Sequence, residues 1–175
     1  VEHCACFRRN RRLGLLERCY EPDVMEAFRG DHRYFMIGIS NNYHQLDQVR
    51  EGVRKPDERE AFLLEQEKRE CEIFGRLADL GMRPLVGTDA GCGYTFFDET
   101  WLEMELLCRR CGLTPEKAIH AATLEGARAL GYGDFLGRLA PGYEADFIAA
   151  AQNPIQDIEA FRHIKHVVCR GKIIE

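Results

Sequence analysis

Two short and nearly unbroken runs of apolar residues predict buried strands. The first covers residues 34–40 and lies between charged residues and an Asn-Asn pair, and the second covers residues 84–87. Neither run alternates polar with apolar positions, so each strand would be buried on both faces, as strands of parallel sheets are. The sequence therefore predicts a parallel sheet that contains both runs.

Segments after the two runs have the spacing of amphipathic helices. Between Asp57 and Gly81, the residues at helical spacing are Leu64, Cys71, Phe74 and Ala78. A second helix, which ends at Gly112, has its apolar positions at Trp101, Met104, Cys108 and Cys111. Three shorter helices are predicted around residues 23–28, from Thr114-Pro115 onward and from Thr123 to Gly131.

The alternation of strands and helices predicts an α/β fold built from right-handed parallel β/α units. We count three units, with residues 1–3 as the end of the first strand. From residue 137 the pattern changes to short strands at residues 146–150 and 164–169, followed by a tight hairpin at residues 170–174. We therefore predict two parts, residues 1–136 and residues 137–175.

Composition narrows the class of protein. A net charge of −5 argues against nucleic acid as the main partner, and no apolar run is long enough to cross a membrane. The eight cysteines are scattered through predicted helices and strands, which favours reduced thiols in a cytoplasmic protein over a disulfide framework. Cys108 and Cys111 have zinc or redox spacing, but the pattern around them is helical, so we interpret them as packed residues.

A basic run near the start allows two interpretations. It consists of Arg8, Arg9, Arg11 and Arg12. These side chains could bind an anionic group of a substrate, but a charge run becomes a site only when its members converge, so we favour a solvated loop.

Two residues stand where the reactive groups of parallel α/β proteins lie, at the carboxyl ends of strands. His3 follows the first strand remnant, and Asp89 follows the run at residues 84–87. An imidazole and a carboxylate on neighbouring strand ends suit Zn²⁺ or a similar divalent ion, which would activate a water molecule. The alternative is a packed histidine and an aspartate that caps a turn.

An ordered series of motifs resembles the C-terminal half of the amidohydrolase superfamily. The motifs are Val86-Gly87-Thr88-Asp89-Ala90-Gly91, residues 103–107, 112–118, 121–124 and 126–131, Gly137-Arg138-Leu139, Pro141-Gly142, residues 145–148 and the final hairpin. Within the superfamily, the similarity is greatest to imidazolonepropionase-like enzymes and to metal-dependent dipeptidases of the prolidase type.

The resemblance implies a site and a reaction. His3 is similar to the metal-binding histidine that ends the sixth barrel strand, and Asp89 is similar to the aspartate that ends the eighth strand, binds the metal and serves as general acid and base. A divalent metal, expected to be Zn²⁺, would then activate water to hydrolyse a carbon–nitrogen bond in a small substrate. Residues 137–175 resemble strands of a small β-sandwich beside the (β/α)8 barrel.

The resemblance also implies that much of the family's site is missing. The His-x-His of the first strand, the Lys or Glu of the fourth and the His of the fifth have no counterpart here. The chain has no initiator Met, and its 175 residues are too few for a barrel of about 250. We therefore expect a C-terminal fragment that is inactive when isolated.

Several alternatives and expectations remain open. The chain could be a non-catalytic remnant or interaction module, or belong to a deaminase of the same superfamily. A substrate pocket could be formed by Tyr43, His44, Tyr94, Phe96 and Asp98, which follow strand ends, although solvent-facing loops give the same pattern. We expect that an uncovered edge of the strand at residues 34–40 favours a homo-oligomer.

Overall fold

A computed structural model describes residues 5–30, 32–41 and 43–174 of the chain. The strands are Cys6–Arg9 (β1), Leu16–Cys19 (β2), Tyr34–Phe35 (β3), Arg83–Pro84 (β4), Phe147–Ala150 (β5), Ile164–Cys169 (β6) and Lys172–Ile173 (β7). The α-helices are Pro22–Glu26 (α1), Asp47–Arg50 (α2), Glu58–Asp79 (α3), Thr100–Cys111 (α4), Pro115–Ala122 (α5) and Leu124–Ala129 (α6). Two 3₁₀-helices cover His44–Leu46 and Ile158–Arg162. No helix in these described ranges is long and apolar enough to span a bilayer.

Strands β3 and β4 pair in parallel, with helix α3 between them in the chain. Tyr34 lies opposite Arg83, and Phe35 lies opposite Pro84. The predicted parallel α/β arrangement is therefore confirmed for these two strands. The strand remnant at residues 1–3 lies outside the described residues, so the count of three units stays a prediction.

Strand β3 is much shorter than predicted, although residues 37–40 are buried as expected. Gly38 has φ +71°, which interrupts an extended strand. The backbone on either side of Gly38 bonds to side chains: Arg18 donates to the carbonyl of Ile37, and the Glu103 carboxylate accepts from the amides of Ile39 and Ser40. These side chains replace the hydrogen bonds of a sheet neighbour, so the segment is buried without being a strand.

Helix α3 confirms the predicted helix and its start. The Asp57 side chain accepts from the amide of Glu60, and the Glu60 side chain accepts from the amide of Asp57, which forms a capping box. The last residue of the buried apolar face differs by one position from the prediction. Leu77 is fully buried, whereas the predicted Ala78 is exposed.

Helices α4 to α6 form where the sequence predicts them, although α6 ends at Ala129, before Gly131, and α1 covers Pro22–Glu26 instead of residues 23–28. Helix α4 stops at Gly112, which adopts φ +72°. Thr114 caps α5 by accepting from the amide of Lys117. Helix α6 follows Thr123 directly.

One cluster of buried side chains joins the strand segments to helices α3 and α4. Phe35 and Phe74 meet edge to face, with ring centroids 5.2 Å apart. The cluster consists of Met25, Phe35, Ile37, Ile39, Ile73, Phe74, Leu77, Leu80, Met82, Leu102, Leu106 and Leu107. Helices α3 and α4 are thus packed against the strand ends that precede the candidate site.

The basic segment near the start belongs to a β-hairpin, which corrects the interpretation as a loop for Arg8 and Arg9 in β1, whereas Arg11 and Arg12 lie in the exposed turn as predicted. Strands β1 and β2 pair antiparallel, and Cys6 lies opposite Cys19. Arg8 pairs with Glu17 at 3.2 Å, and Arg12 pairs with Glu58. The strands of this hairpin do not alternate polar with apolar residues in the sequence, so the hairpin was not predicted.

A cavity of about 270 Å³ lies where the hairpin meets α3. Its lining includes Arg8, Arg18, Arg69 and Arg76. Glu17 pairs with both Arg8 and Arg69, while Glu70 lies 3.2 Å from Arg18. Most of the positive charge is therefore used within the protein, which argues against the anion site considered for the basic run.

The C-terminal part forms a three-stranded antiparallel sheet in the order β5–β6–β7. The 3₁₀-helix before β6 packs on α4, where Arg162 donates three hydrogen bonds, of 2.7, 3.0 and 3.1 Å, to the buried carboxylate of Glu105. Arg162 also lies 4.5 Å from the centre of the Trp101 ring. The three predicted strands are confirmed.

We predict that Gly137→Ala destabilises the protein more than Gly142→Ala. Both glycines have φ near +90°, at +91° and +88°, so both substitutions strain the backbone. A Cβ at Gly137 would lie 2.8 Å from Leu124 Cα and 2.9 Å from Thr123 O, whereas nothing lies within 4 Å at Gly142. The clash should cost a further 1–3 kcal/mol or so, measured by urea unfolding, and equal losses would contradict it.

Candidate functional site

Asp89 follows β4 at the carboxyl end of the parallel pair, as predicted, but β4 covers only Arg83–Pro84 rather than residues 84–87, so Asp89 lies five residues beyond its end. Its backbone is left-handed, with φ +55°, and the residue is exposed. Its carbonyl accepts from the amide of Cys92 at 3.1 Å, which closes a turn. The turn places Asp89 at the edge of the sheet where parallel α/β proteins carry their reactive groups.

The other predicted ligand, His3, lies outside the described residues. Among residues 5–30, 32–41 and 43–174, no three His, Cys, Asp or Glu side chains are grouped closely enough to hold a metal ion. One carboxylate does not fill a zinc site, which takes at least three protein ligands. The described residues alone therefore do not fit a metal centre.

The loop after Asp89 is tied to the loop after β3. The amide of Gly91 donates to the carbonyl of Thr95, and the buried Thr95 hydroxyl donates to Asn41 Oδ1, each at 3.1 Å. Gly87 faces the side chain of Met36, so a larger residue at position 87 would displace that side chain. These contacts hold the two loops side by side.

A buried carboxylate on α4 fixes the loop that follows β3. Glu103 is only 1% exposed, and its two oxygens accept from the amide of Ile39 at 3.0 Å and that of Ser40 at 2.8 Å. Burial raises the pKa of Glu103, although the hydrogen bonds from Ser40 and the Ile39 amide act in the opposite direction. The carboxylate thus substitutes for a neighbouring strand at this point of the sheet edge.

His44 bridges the two loops through a pair of carboxylates. Its Nδ1 lies 2.9 Å from Asp47 Oδ2, and its Nε2 lies 2.7 Å from Glu99 Oε2. Burial is the largest influence and lowers the pKa of His44, but the hydrogen bonds to Asp47 and Glu99 outweigh it, so the pKa is raised overall. Both ring nitrogens donate when the imidazole is protonated, which holds the two acidic side chains together.

The structure brings together three of the five residues predicted to line a pocket. The rings of Tyr43 and Phe96 each lie 5.4 Å from the His44 ring, centroid to centroid. Tyr94, with φ +62°, and Asp98 are exposed on the loop after Asp89. The protein therefore has a cluster of aromatic rings around a histidine beside the Asp89 turn.

Sequence reasoning missed the polar residues that organise this edge. They are Asn41, Asp47, Thr95, Glu99 and Glu103. A signal for one of them was present, because Glu103 stands between the apolar residues Leu102 and Met104 in a helix whose neighbouring positions are buried. Asn41, Thr95 and Glu99 carry no local signal, since their partners are more than 50 positions away in the chain, whereas Asp47 lies only three residues after its partner His44.

Comparison with known proteins identifies the family. The model of the Amidohydrolase family matches residues 34–174. The chain belongs to the amidohydrolase family. Members of this family generally use divalent metals.

Individual relatives agree with this assignment. An imidazolonepropionase of Deinococcus deserti is 42% identical over 83 residues, which are 47% of this chain and 21% of that protein. The ochratoxinase of Aspergillus niger is 37% identical over 99 residues, 54% of this chain and 20% of its own length. The chain thus spans a small part of the length of the curated relatives it matches.

A solved structure supports the fold. A Xaa-Pro dipeptidase with methionine bound in its active site superposes with a TM-score of 0.71 and 25% identity, over 89% of this chain and 37% of that one. The structural relatives are amidohydrolase TIM-barrel proteins, and the described fold is consistent with part of such a barrel.

We predict that the His44 bridge stabilises the protein at low pH. Because the folded pKa of His44 is raised above its ordinary value of 6.5, its contribution is complete below about pH 6.5 and is lost as the pH rises through the raised pKa. The difference in free energy of unfolding between wild type and His44→Gln should therefore decrease as the pH rises from about 6 to about 8. His120→Gln, in an exposed position of α5, is the control, and a flat difference for His44→Gln would contradict the bridge.

We predict that the two oxygens of Glu103 make separable contributions. Glu103→Ala leaves two buried amides without acceptors, at a cost of about 1–3 kcal/mol each, whereas Glu103→Gln keeps one acceptor and should lose roughly half as much. Urea unfolding measures both losses. Glu72→Ala, on the exposed face of α3, should change the free energy by no more than about 0.5 kcal/mol. Equal values for Glu103→Ala and Glu72→Ala would refute the prediction.

Proposed function

We propose that this chain forms the C-terminal part of a metal-dependent hydrolase that cleaves an amide-like carbon–nitrogen bond in a small molecule. Asp89 is the residue of this chain that binds the metal and transfers a proton, and His3 is a second metal ligand. The preferred metal is Zn²⁺.

One observation supports the proposal most directly, the position of Asp89 at the carboxyl end of the parallel pair in a chain of this family. In the motif pattern of the amidohydrolase superfamily that this sequence resembles, that strand end carries the aspartate that both binds metal and acts as general acid and base. Asp89 is an exposed residue on a tight turn, at an edge that a metal and a substrate can approach. The position of Asp89 suits both roles.

The remaining ligands must come from strands that this chain does not contain. A bound divalent ion would supply a water molecule of lowered pKa in such a site. Asp89 would accept a proton at its carboxylate and pass it to the leaving nitrogen. The chain's own contribution is thus a proton carrier held on a rigid turn.

The aromatic cluster beside Asp89 would bind the substrate. Tyr43, His44 and Phe96 are in ring contact, while Tyr94 is 55% exposed on the same loop as Phe96. Such rings bind small molecules that carry an apolar group. Relatives named for imidazolonepropionate, ochratoxin and Xaa-Pro dipeptides support a small substrate with a carbon–nitrogen bond.

The proposal extends to the organisation and environment of the protein. Residues 1–136 would belong to the barrel, and residues 137–175 would add β5, β6 and β7 to a small sandwich. The partner is a small-molecule substrate rather than nucleic acid or membrane. We also propose a cytoplasmic location, and self-association of the chain when the rest of the barrel is absent.

The test uses the complete product of the gene, with the strands that fill the barrel. We expect it to hydrolyse members of a panel of N-acyl amino acids, Xaa-Pro dipeptides and cyclic amides. Asp89→Asn should lower kcat by about 10²-fold or more, because the proton carrier is lost. Asp134→Asn, an exposed turn residue, should leave kcat unchanged.

The outcomes separate the alternatives. Unchanged kcat in Asp89→Asn would overturn the role of Asp89, and release of ammonia from ring amines alone would indicate a deaminase. No turnover on any substrate would favour a non-catalytic module. Stoichiometric zinc and turnover in the isolated chain of 175 residues would contradict the proposal that it is a fragment.

A further inference from the structure

We propose that Cys71 and Cys111 form a redox-active dithiol, which small disulfides oxidise to a disulfide bond between helices α3 and α4. This inference does not depend on the proposed hydrolase activity. It assigns a modification site to two cysteines that no part of the candidate site uses.

The first support is the distance between the sulfurs. Cys111 Sγ lies 2.8 Å from Cys71 Sγ, although the residues are 40 positions apart in the chain. A disulfide bond is about 2.05 Å long, so a small movement of each sulfur joins them. Proximity of this kind is a result of tertiary packing and has no counterpart in the local sequence.

The second support is the rigidity of the surrounding structure. Cys71 lies in the second half of α3, and Cys111 is the last residue of α4. The two helices pack against each other, and both contribute to the main buried cluster. Arg110 also pairs with Glu67 across the same helix pair, at 3.0 Å. The sulfurs are therefore held together before any reaction occurs.

The third support is the unequal ionisation of the two thiols. The hydrogen bond from Cys111 is the largest influence on Cys71 and lowers its pKa, with burial opposing and Arg110 assisting. The same hydrogen bond raises the pKa of Cys111. Cys71 is therefore the thiol that ionises first and attacks, and Cys111 is the thiol that follows.

The reaction is thiol–disulfide exchange with a small disulfide such as oxidised glutathione. The Cys71 thiolate attacks one sulfur of the small disulfide, and its other half leaves as a thiolate that takes up a proton. Cys111 then loses its proton and attacks the Cys71 sulfur of the mixed disulfide, which releases the second small thiol. The protein dithiol is oxidised by two electrons, and one small disulfide is reduced to two thiols.

The disulfide would close a loop that contains the Asp89 half of the candidate site. Residues 71–111 include β4, the Asp89 turn and Glu103. Oxidation would therefore restrain the two helices on either side of this turn in the sequence. We expect a higher melting temperature in the oxidised protein, because the bond limits the unfolded chain.

The test is oxidation of the folded chain in buffers of graded reduced and oxidised glutathione. Remaining thiols are then alkylated, and the peptides are mapped by mass spectrometry without reduction. We expect a peptide pair joined through Cys71 and Cys111, reversed by reduced glutathione. This measurement needs no variant. Cys71 and Cys111 both remaining alkylatable at the most oxidising ratio would overturn the proposal.

Single variants identify the order of attack. In Cys111→Ser, a mixed disulfide of Cys71 with glutathione should accumulate, because the second thiol is absent. In Cys71→Ser, Cys111 should react several-fold more slowly, because burial and the nearby carboxylates of Glu70 and Glu103 still raise the pKa of its thiol when the hydrogen bond to Cys71 is lost. Equal reaction rates for the two single variants would overturn the assignment of Cys71 as the attacking thiol.

Two internal controls are available. Cys108 lies three residues before Cys111 on α4. The variant Cys108→Ser should still form the Cys71–Cys111 bond, and oxidation should raise its melting temperature as much as that of wild type. Cys6 and Cys19 lie opposite each other in the β1–β2 hairpin and are the competing pair. If oxidation still raised the melting temperature of Cys71→Ser, the stabilising bond would be the one between Cys6 and Cys19, and our assignment to Cys71 and Cys111 would be wrong.

Discussion

The buried carboxylate of Glu103 is the interaction on which the candidate site depends. A strand that ends early leaves buried amides that need acceptors, and an unmet amide costs about 1–3 kcal/mol. Glu103 supplies both acceptors from α4, so the backbone at Ile39 and Ser40 can leave the sheet and still be buried. The same bonds couple α4 to the loop after β3. One side chain therefore supplies the acceptors that keep this loop buried beside the sheet edge.

From that loop, a series of polar contacts reaches the Asp89 turn. Asn41 accepts from Thr95, which in turn accepts from the amide of Gly91 at its carbonyl. His44 reaches Glu99 at the start of α4. The turn is thus held by side chains from the neighbouring loop rather than by strand pairing. This arrangement leaves the Asp89 residue exposed at the sheet edge while its backbone is fixed.

Much of the fold followed from local patterns. Helices α3, α4 and α5 were predicted because their caps and end signals, such as Asp57, Gly112 and Thr114, act within one turn of the chain. The strands β5 and β6 were also predicted from local signals, because each is a short apolar run that turn residues precede or follow. The hairpin at the start was missed because Arg8 and its partner Glu17 give no alternating apolar pattern. Of the site, Asp89 and the Tyr43–His44–Phe96 cluster were anticipated by their position after strands.

The sequence by itself determined the types of helices α3 to α6 and of strands β5 to β7, the parallel arrangement of the two runs and the position of Asp89 after a strand. These features depend on spacing and on interactions within a few residues. Only the tertiary structure decided the length of β3, the bridge from His44 to Glu99 and the meeting of Cys71 with Cys111. Each of these joins residues tens of positions apart, and such contacts exist only after the helices have packed against the strands.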